Sequence, residues 1–173
     1  MCPQILALFS LPPDCRLKAI PAMYTIIPDM QLLSYVLPDD IAPLQNLHTL
    51  TRLHITARFH LGVRLEMKCF GPDQVVFEVS MRFSPEIPTM VEQNGTPAMW
   101  ILGNLHRIGL RRVEELRMEG FVGPLEPRAV ELLTFLKRMP ALTRLITTDG
   151  NEEILRTALD NLCCRAAVVR VAS

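Results

Sequence analysis

Hydrophobic and polar residues alternate with a period of two from Val63 onward. Val63, Leu65, Met67 and Cys69 fall on one side and Arg64, Glu66 and Lys68 on the other, the pattern of a strand buried on one side only. After the turn-forming Gly71-Pro72-Asp73, Val75, Phe77, Val79, Met81 and Phe83 alternate with Glu78, Ser80 and Arg82. The two runs predict an antiparallel hairpin. Toward the carboxyl end the period lengthens. Thr96-Pro97 predicts a capped helix that buries Trp100, Ile101 and Leu105 and stops near Gly109. Pro127 opens another, with Ala129, Leu132, Leu133 and Leu136 inward, ended by Pro140. Asn151 caps a third over Ile154, Leu155, Ala158 and Leu162, with Glu152 and Glu153 in its first turn. Short apolar segments at 113–118, 142–147 and 166–171 read as strands between and after these helices, and 50–55 as one before the hairpin.

Upstream, Asp39 or Asp40 is expected to cap a short helix with Ile41, Leu44 and Leu47 inward. Residues 1–38 hold Pro3, Pro12, Pro13, Pro21, Pro28 and Pro38. Each removes a backbone donor, so this segment is expected to be irregular, with one short strand at 33–37, and residues 39–173 to form the domain.

Four strands share one spacing when aligned on a central residue: Leu50-x-x-Leu53-x-Ile55, Val113-x-x-Leu116-x-Met118, Leu142-x-x-Leu145-x-Thr147 and Ala166-x-x-Val169-x-Val171. Leu116 and Leu145 lie 29 residues apart, and Leu145 and Val169 lie 24, spacings in or at the edge of the leucine-rich-repeat range. In a half-hydrophobic chain such a hexamer arises by chance about once in eight starting positions. Leu-Thr-Arg-Leu recurs at positions 50 and 142, so a degenerate repeat stands beside an ordinary open α/β sheet as the two readings. In the repeat, positions three and five face outward along one side of the sheet. That side is expected to carry Arg52 and His54, Glu115 and Arg117, Arg144 and Ile146, then Val168 and Arg170. The candidate binding residues are Arg52, His54, Glu115, Arg117, Arg144 and Arg170; the plainer reading makes Glu115 and Arg144 a cross-strand ion pair.

Residues 105–120 between two helices, the Met139-Pro-Ala-Leu-Thr-Arg-Leu145 segment and the stretch 37–55 followed by the hairpin resemble the C-terminal region of fungal F-box-type proteins, over roughly residues 37–162. The resemblance implies degenerate leucine-rich units that form the substrate-binding arm of a ubiquitin-ligase receptor. Leu11-Pro-Pro-Asp14 with Leu17 and Ile20 is similar to the opening of an F-box, but Pro21 and Pro28 interrupt the helices that would follow. The F-box itself is not recognised, and with it goes the coupling element of a ligase.

Composition narrows the classes. Lys+Arg and Asp+Glu both number 18 and the formal net charge is zero, which disfavours a nucleic-acid or anionic-membrane partner. No apolar run approaches the ~20 residues of a membrane helix. The start of the chain lacks signal-peptide features and the five cysteines lack ligand or framework spacing, so a reducing cytoplasmic or nuclear location is expected. His48, His54 and His60, six residues apart on extended chain, span about 20 Å per step and cannot share a metal. No phosphate loop, nucleophile elbow or metalloprotease motif is present. The chain is therefore expected to be an α/β protein of leucine-rich-repeat-like strand-helix units with a central antiparallel hairpin. It is read as a non-catalytic module for a protein partner, without cofactor, metal or small-molecule ligand. The alternatives are a small enzyme with dispersed catalytic residues and a truncated copy without selected function.

Overall fold

The computed structural model describes residues 10–12, 14–20, 33, 36–59, 63–83, 105, 108–120, 129–147 and 167–170, with single residues at 8, 156 and 160. Among the described residues seven strands form one mixed sheet: β1 (Leu17–Ala19), β2 (Arg52–Phe59), β3 (Val63–Phe70), β4 (Val75–Phe83), β5 (Glu115–Glu119), β6 (Arg144–Thr147) and β7 (Ala167–Arg170). Their spatial order is β1-β4-β3-β2-β5-β6-β7. The expected hairpin is present as β3 and β4, paired antiparallel from Val63↔Phe83 to Phe70↔Val75. β2 also pairs antiparallel with β3, whereas β5, β6 and β7 follow β2 in parallel and β1 runs parallel to β4. β3 alone therefore runs against the other six.

The parallel part is built on one row of leucines. Leu53 pairs with Leu116 and Leu116 with Leu145, and all three are fully buried. Burying each such side chain favours folding by about 1.5–3 kcal/mol. Leu50, Val113 and Leu142, three residues earlier in each segment, are buried as well, and the backbone there repeats. The amide of Glu114 donates to Thr51 O at 2.8 Å and that of Thr143 to Glu114 O at 2.8 Å. Leu65, Met67, Cys69, Phe77, Val79 and Met81 continue the buried side across the hairpin. The described helix, α1 (Ala129–Leu136), contributes Phe135 and Leu136 to the same core with Leu133 packed against it; of its expected inward residues, Ala129 and Leu132 lie outside the described side chains.

The amino-terminal segment differs from expectation. β1 adds a strand to the sheet edge, and Leu17, Leu33, Val36 and Leu37 enter the core. Where a strand was expected at 33–37, the amides of Val36 and Leu37 both donate to Leu33 O at 3.0 and 2.7 Å, which makes a turn. β1 is held by side chains that proline content does not reveal. Glu78 of β4, only 8% exposed, accepts from Arg16 Nη2 at 2.8 Å and Lys18 Nζ at 3.2 Å. Asn46 Nδ2, fully buried, donates to Cys15 O and Val76 O at 3.2 and 3.1 Å. Asn46 sits in a 3-10 helix (Gln45–Leu47), shorter than the helix expected over Ile41, Leu44 and Leu47; Asp40 Oδ1 accepts from the Ala42 amide at 2.9 Å ahead of it, and the helix starts at Leu44 without a side-chain cap. The expected helices near residues 97–109 and 151–162 fall largely outside the described residues.

Gly120 closes β5 with φ +72°, and a Cβ built there would lie 1.7 Å from Ala57 O. A side chain would meet both the cost of left-handed backbone and a steric overlap with β2. Gly120→Ala is expected to lower stability by about 2 kcal/mol or more, measured by urea unfolding. At Gly109 the nearest atom to a Cβ is Leu47 O at 3.5 Å, an ordinary contact, so Gly109→Ala should cost clearly less; equal costs would refute the overlap.

Candidate functional site

Because side chains alternate along a strand, a register that aligns the inward leucines also aligns their outward neighbours. Arg52 pairs with Glu115 and Glu115 with Arg144; His54 pairs with Arg117 and Arg117 with Ile146. Five of the six candidate residues, Arg52, His54, Glu115, Arg117 and Arg144, thus come together on the polar side of β2, β5 and β6. Arg170 does not. β7 pairs Leu145 with Val168 rather than with Val169, and Thr147 with Arg170. This one-residue slip puts Arg170 in the row of Ile55, Met118 and Thr147, whose members are buried in the core or beside it. Ala166-Ala-Val-Val is apolar at successive positions, so its pattern does not specify which register wins. Ile146 also departs from expectation: it is 5% exposed and lies apart from the main core cluster, so the outward side is covered at that position of β6.

Glu115 links three strands. Its Oε1 accepts from His54 Nε2 at 3.2 Å and its Oε2 from Arg144 Nη1 at 3.0 Å, so the expected Glu115–Arg144 pair is present. An ionised carboxylate only accepts, which places the proton of neutral His54 on Nε2. The His54 ring also lies 4.5 Å from Phe70, centroid to centroid, and the Arg52 guanidinium 4.9 Å over the same Phe70 ring. Arg117 pairs with Glu119 on its own strand, and Thr56 Oγ1 donates to Glu119 Oε2 at 3.5 Å. On β3, Arg64 Nη2 contacts Glu66 at 2.8 Å. Exposed pairs of this kind contribute only about 0–1 kcal/mol each, so they arrange the surface more than they hold the fold.

Beyond His54 the same side forms a shallow cavity of about 240 Å³ between β3, β2 and β5, which Thr56, Arg58, Glu66, Lys68 and Glu119 line together with His54 and Arg117. Sequence reasoning omitted these five. The polar alternation of Arg64, Glu66 and Lys68 was visible, but only the β2–β3 pairing makes them continuous with His54 and Arg117. Among the described residues no group of three or more His, Cys, Asp or Glu is placed to hold a metal. Burial pushes the Cys69 thiol well up, which suits a small core residue and not a nucleophile. No helix among the described residues is long and apolar enough to cross a membrane. No protein-family model matches the chain, and no curated protein or solved structure is significantly similar to it.

Burial lowers the pKa of His54 despite its hydrogen bond to Glu115, with the positive charges of Arg117 and Arg52 adding to the effect. The unfolded chain therefore takes up this proton more readily than the native one. The stabilising contribution of neutral His54 is complete above pH 6.5 and is lost as pH falls from there through the native pKa. Glu78 behaves likewise at lower pH: burial alone raises its pKa, but the bonds from Arg16 and Lys18 and the nearby charges of Lys18 and Lys68 outweigh it, giving a net decrease. Its contribution is present above pH 4.5 and lost below. Urea midpoints measured from pH 7.5 to 5.5 should fall more steeply for the wild type than for His54→Gln, which keeps a donor toward Glu115 but does not titrate. Parallel curves would remove His54 as the cause.

Proposed function

We propose that the chain is a non-catalytic protein-interaction module whose polar sheet side receives another protein, in the manner of the substrate-binding arm of the F-box-type receptors it resembles. One observation carries this reading: β2, β5 and β6 run parallel with Leu53, Leu116 and Leu145 in one register row, so three segments of the same leucine spacing present their outward residues side by side. In repeat proteins such a row of strands is the usual binding surface. The fourth segment is offset by one residue, and an antiparallel hairpin extends the sheet on the other flank. The repeat is accordingly proposed as degenerate and short. The surface itself favours a polar, extended contact over a small substrate, because its cavity is shallow, lined by charged groups, and has its carboxylates tied in ion pairs.

Affinity capture with the intact chain tests the surface. Partners retained by the wild type and by Arg111→Glu/Arg112→Glu, exposed in the loop before β5, should be lost with Arg117→Glu/Arg144→Glu. Charge reversal sets new carboxylates against Glu119 and Glu115 and costs stability, so Arg117→Gln/Arg144→Gln is measured beside it and should lose the same partners with an unfolding midpoint close to wild type. Equal recovery by all of these proteins would overturn the assignment of this face.

A further inference from the structure

Among the described residues, the polar side is short of negative charge at its β2–β3 end. Arg58 pairs in register with Arg64, which puts two arginines opposite each other. Like charges placed opposite one another destabilise a sheet. The carboxylates nearby are already engaged: Glu66 with Arg64, Glu119 with Arg117 and Thr56, and both oxygens of Glu78 with Arg16 and Lys18. Among the described residues no carboxylate is in ion-pair contact with Arg58 or Lys68; Glu78 stands opposite Lys68 and attracts it, but both its oxygens are taken by Arg16 and Lys18, and Arg64 Nε is buried without an acceptor.

From this arrangement we infer that the cavity between β2, β3 and β5 binds an extended acidic peptide segment of a partner protein, with two acidic residues four apart meeting Lys68 and Arg58. This rests on the proposed interaction surface and names what it recognises. Lys68 lies opposite His54 and Arg58 opposite Arg64, two rows apart, which is about 13 Å at the rise of an extended strand. A peptide laid along β2 repeats its outward side chains at the same rise, so residues i and i+4 match the two cations. The intervening row holds Thr56, Glu66 and Glu119. It repels a third acid at i+2 and accepts a basic or neutral polar side chain there. The preferred pattern is acid-x-base-x-acid. A polyanion with charge at every step, such as a nucleic acid, meets the two glutamates and is disfavoured.

The test is fluorescence polarisation at low ionic strength with the intact chain. The probe is a labelled twelve-residue peptide centred on Glu-Thr-Lys-Thr-Glu, compared with the same peptide carrying Glu in place of its central Lys and with a labelled oligothymidylate of similar length. The first peptide should bind, and roughly tenfold weaker binding is expected for Arg58→Glu/Lys68→Glu and for the central-Glu peptide. Absence of binding, equal affinity for the variant, equal affinity for the central-Glu peptide, or tighter binding of the oligothymidylate each overturns the inference. Arg58→Glu relieves the repulsion with Arg64, but Lys68→Glu faces the buried Glu78 and lowers the urea midpoint, so Arg58→Gln/Lys68→Gln is measured as well, with a midpoint close to wild type and the same loss of binding, weaker in size. An unaffected Arg58→Glu/Lys68→Glu variant beside partner loss with Arg117→Glu/Arg144→Glu would leave the interaction surface standing without this specificity.

Discussion

The in-register packing of Leu53, Leu116 and Leu145 is the constraint on which the surface depends. An extended strand has two sides related by a single residue step, so aligning one residue on the buried side aligns every other residue on both. The hydrophobic gain is collected on the inside, and the functional consequence appears on the outside as the rows Arg52–Glu115–Arg144 and His54–Arg117. The same rule explains β7. There the chain is apolar on both sides of the step, the leucine row does not continue with Val169, and Arg170 moves to the other series.

The reversed strand β3 has a comparable influence. By pairing antiparallel with both β2 and β4, it carries Glu66 and Lys68 to the flank of β2 opposite β5, and so closes the far wall of the polar cavity. Without it the outward side would be a plain parallel ribbon. With it, His54 has aromatic, acidic and basic neighbours from three strands. Among the described residues the carboxylates on this side are drawn into pairs with neighbouring arginines, a lysine and His54, and Lys68 and Arg58 beside the cavity are in ion-pair contact with none of them. Charge that is balanced over the whole chain is thus unevenly distributed across one sheet side.

Burial and hydrogen bonding act in opposition at His54 and Glu78. At His54 desolvation prevails over the hydrogen bond to Glu115; at Glu78 two donors from the β1 region prevail over desolvation. Both make the native protein more tolerant of neutral than of acidic conditions, and both lie where strands distant in sequence are joined, His54 between β2 and β5 and Glu78 between β4 and β1.

Local pattern alone determined much of this protein. Period-two alternation gave away β3, which is buried on one side, and β4, whose polar series with Glu78 and Ser80 is buried as well, and the leucine spacing located β2, β5 and β6 with five of the six outward candidates, because the inward leucines are the residues that water excludes most strongly. Three matters were left to tertiary structure. The β2–β3 pairing that brings Glu66 and Lys68 beside Arg58 is a contact between segments whose order no local period encodes. The register of β7 is undetermined by a uniformly apolar run. The proline-rich amino-terminal segment gains its strand by pairing with β4 and through Glu78 and Asn46, side chains whose partners are about 30 to 60 residues away in the chain, and such long-range hydrogen bonds cannot be read from the neighbours of either residue.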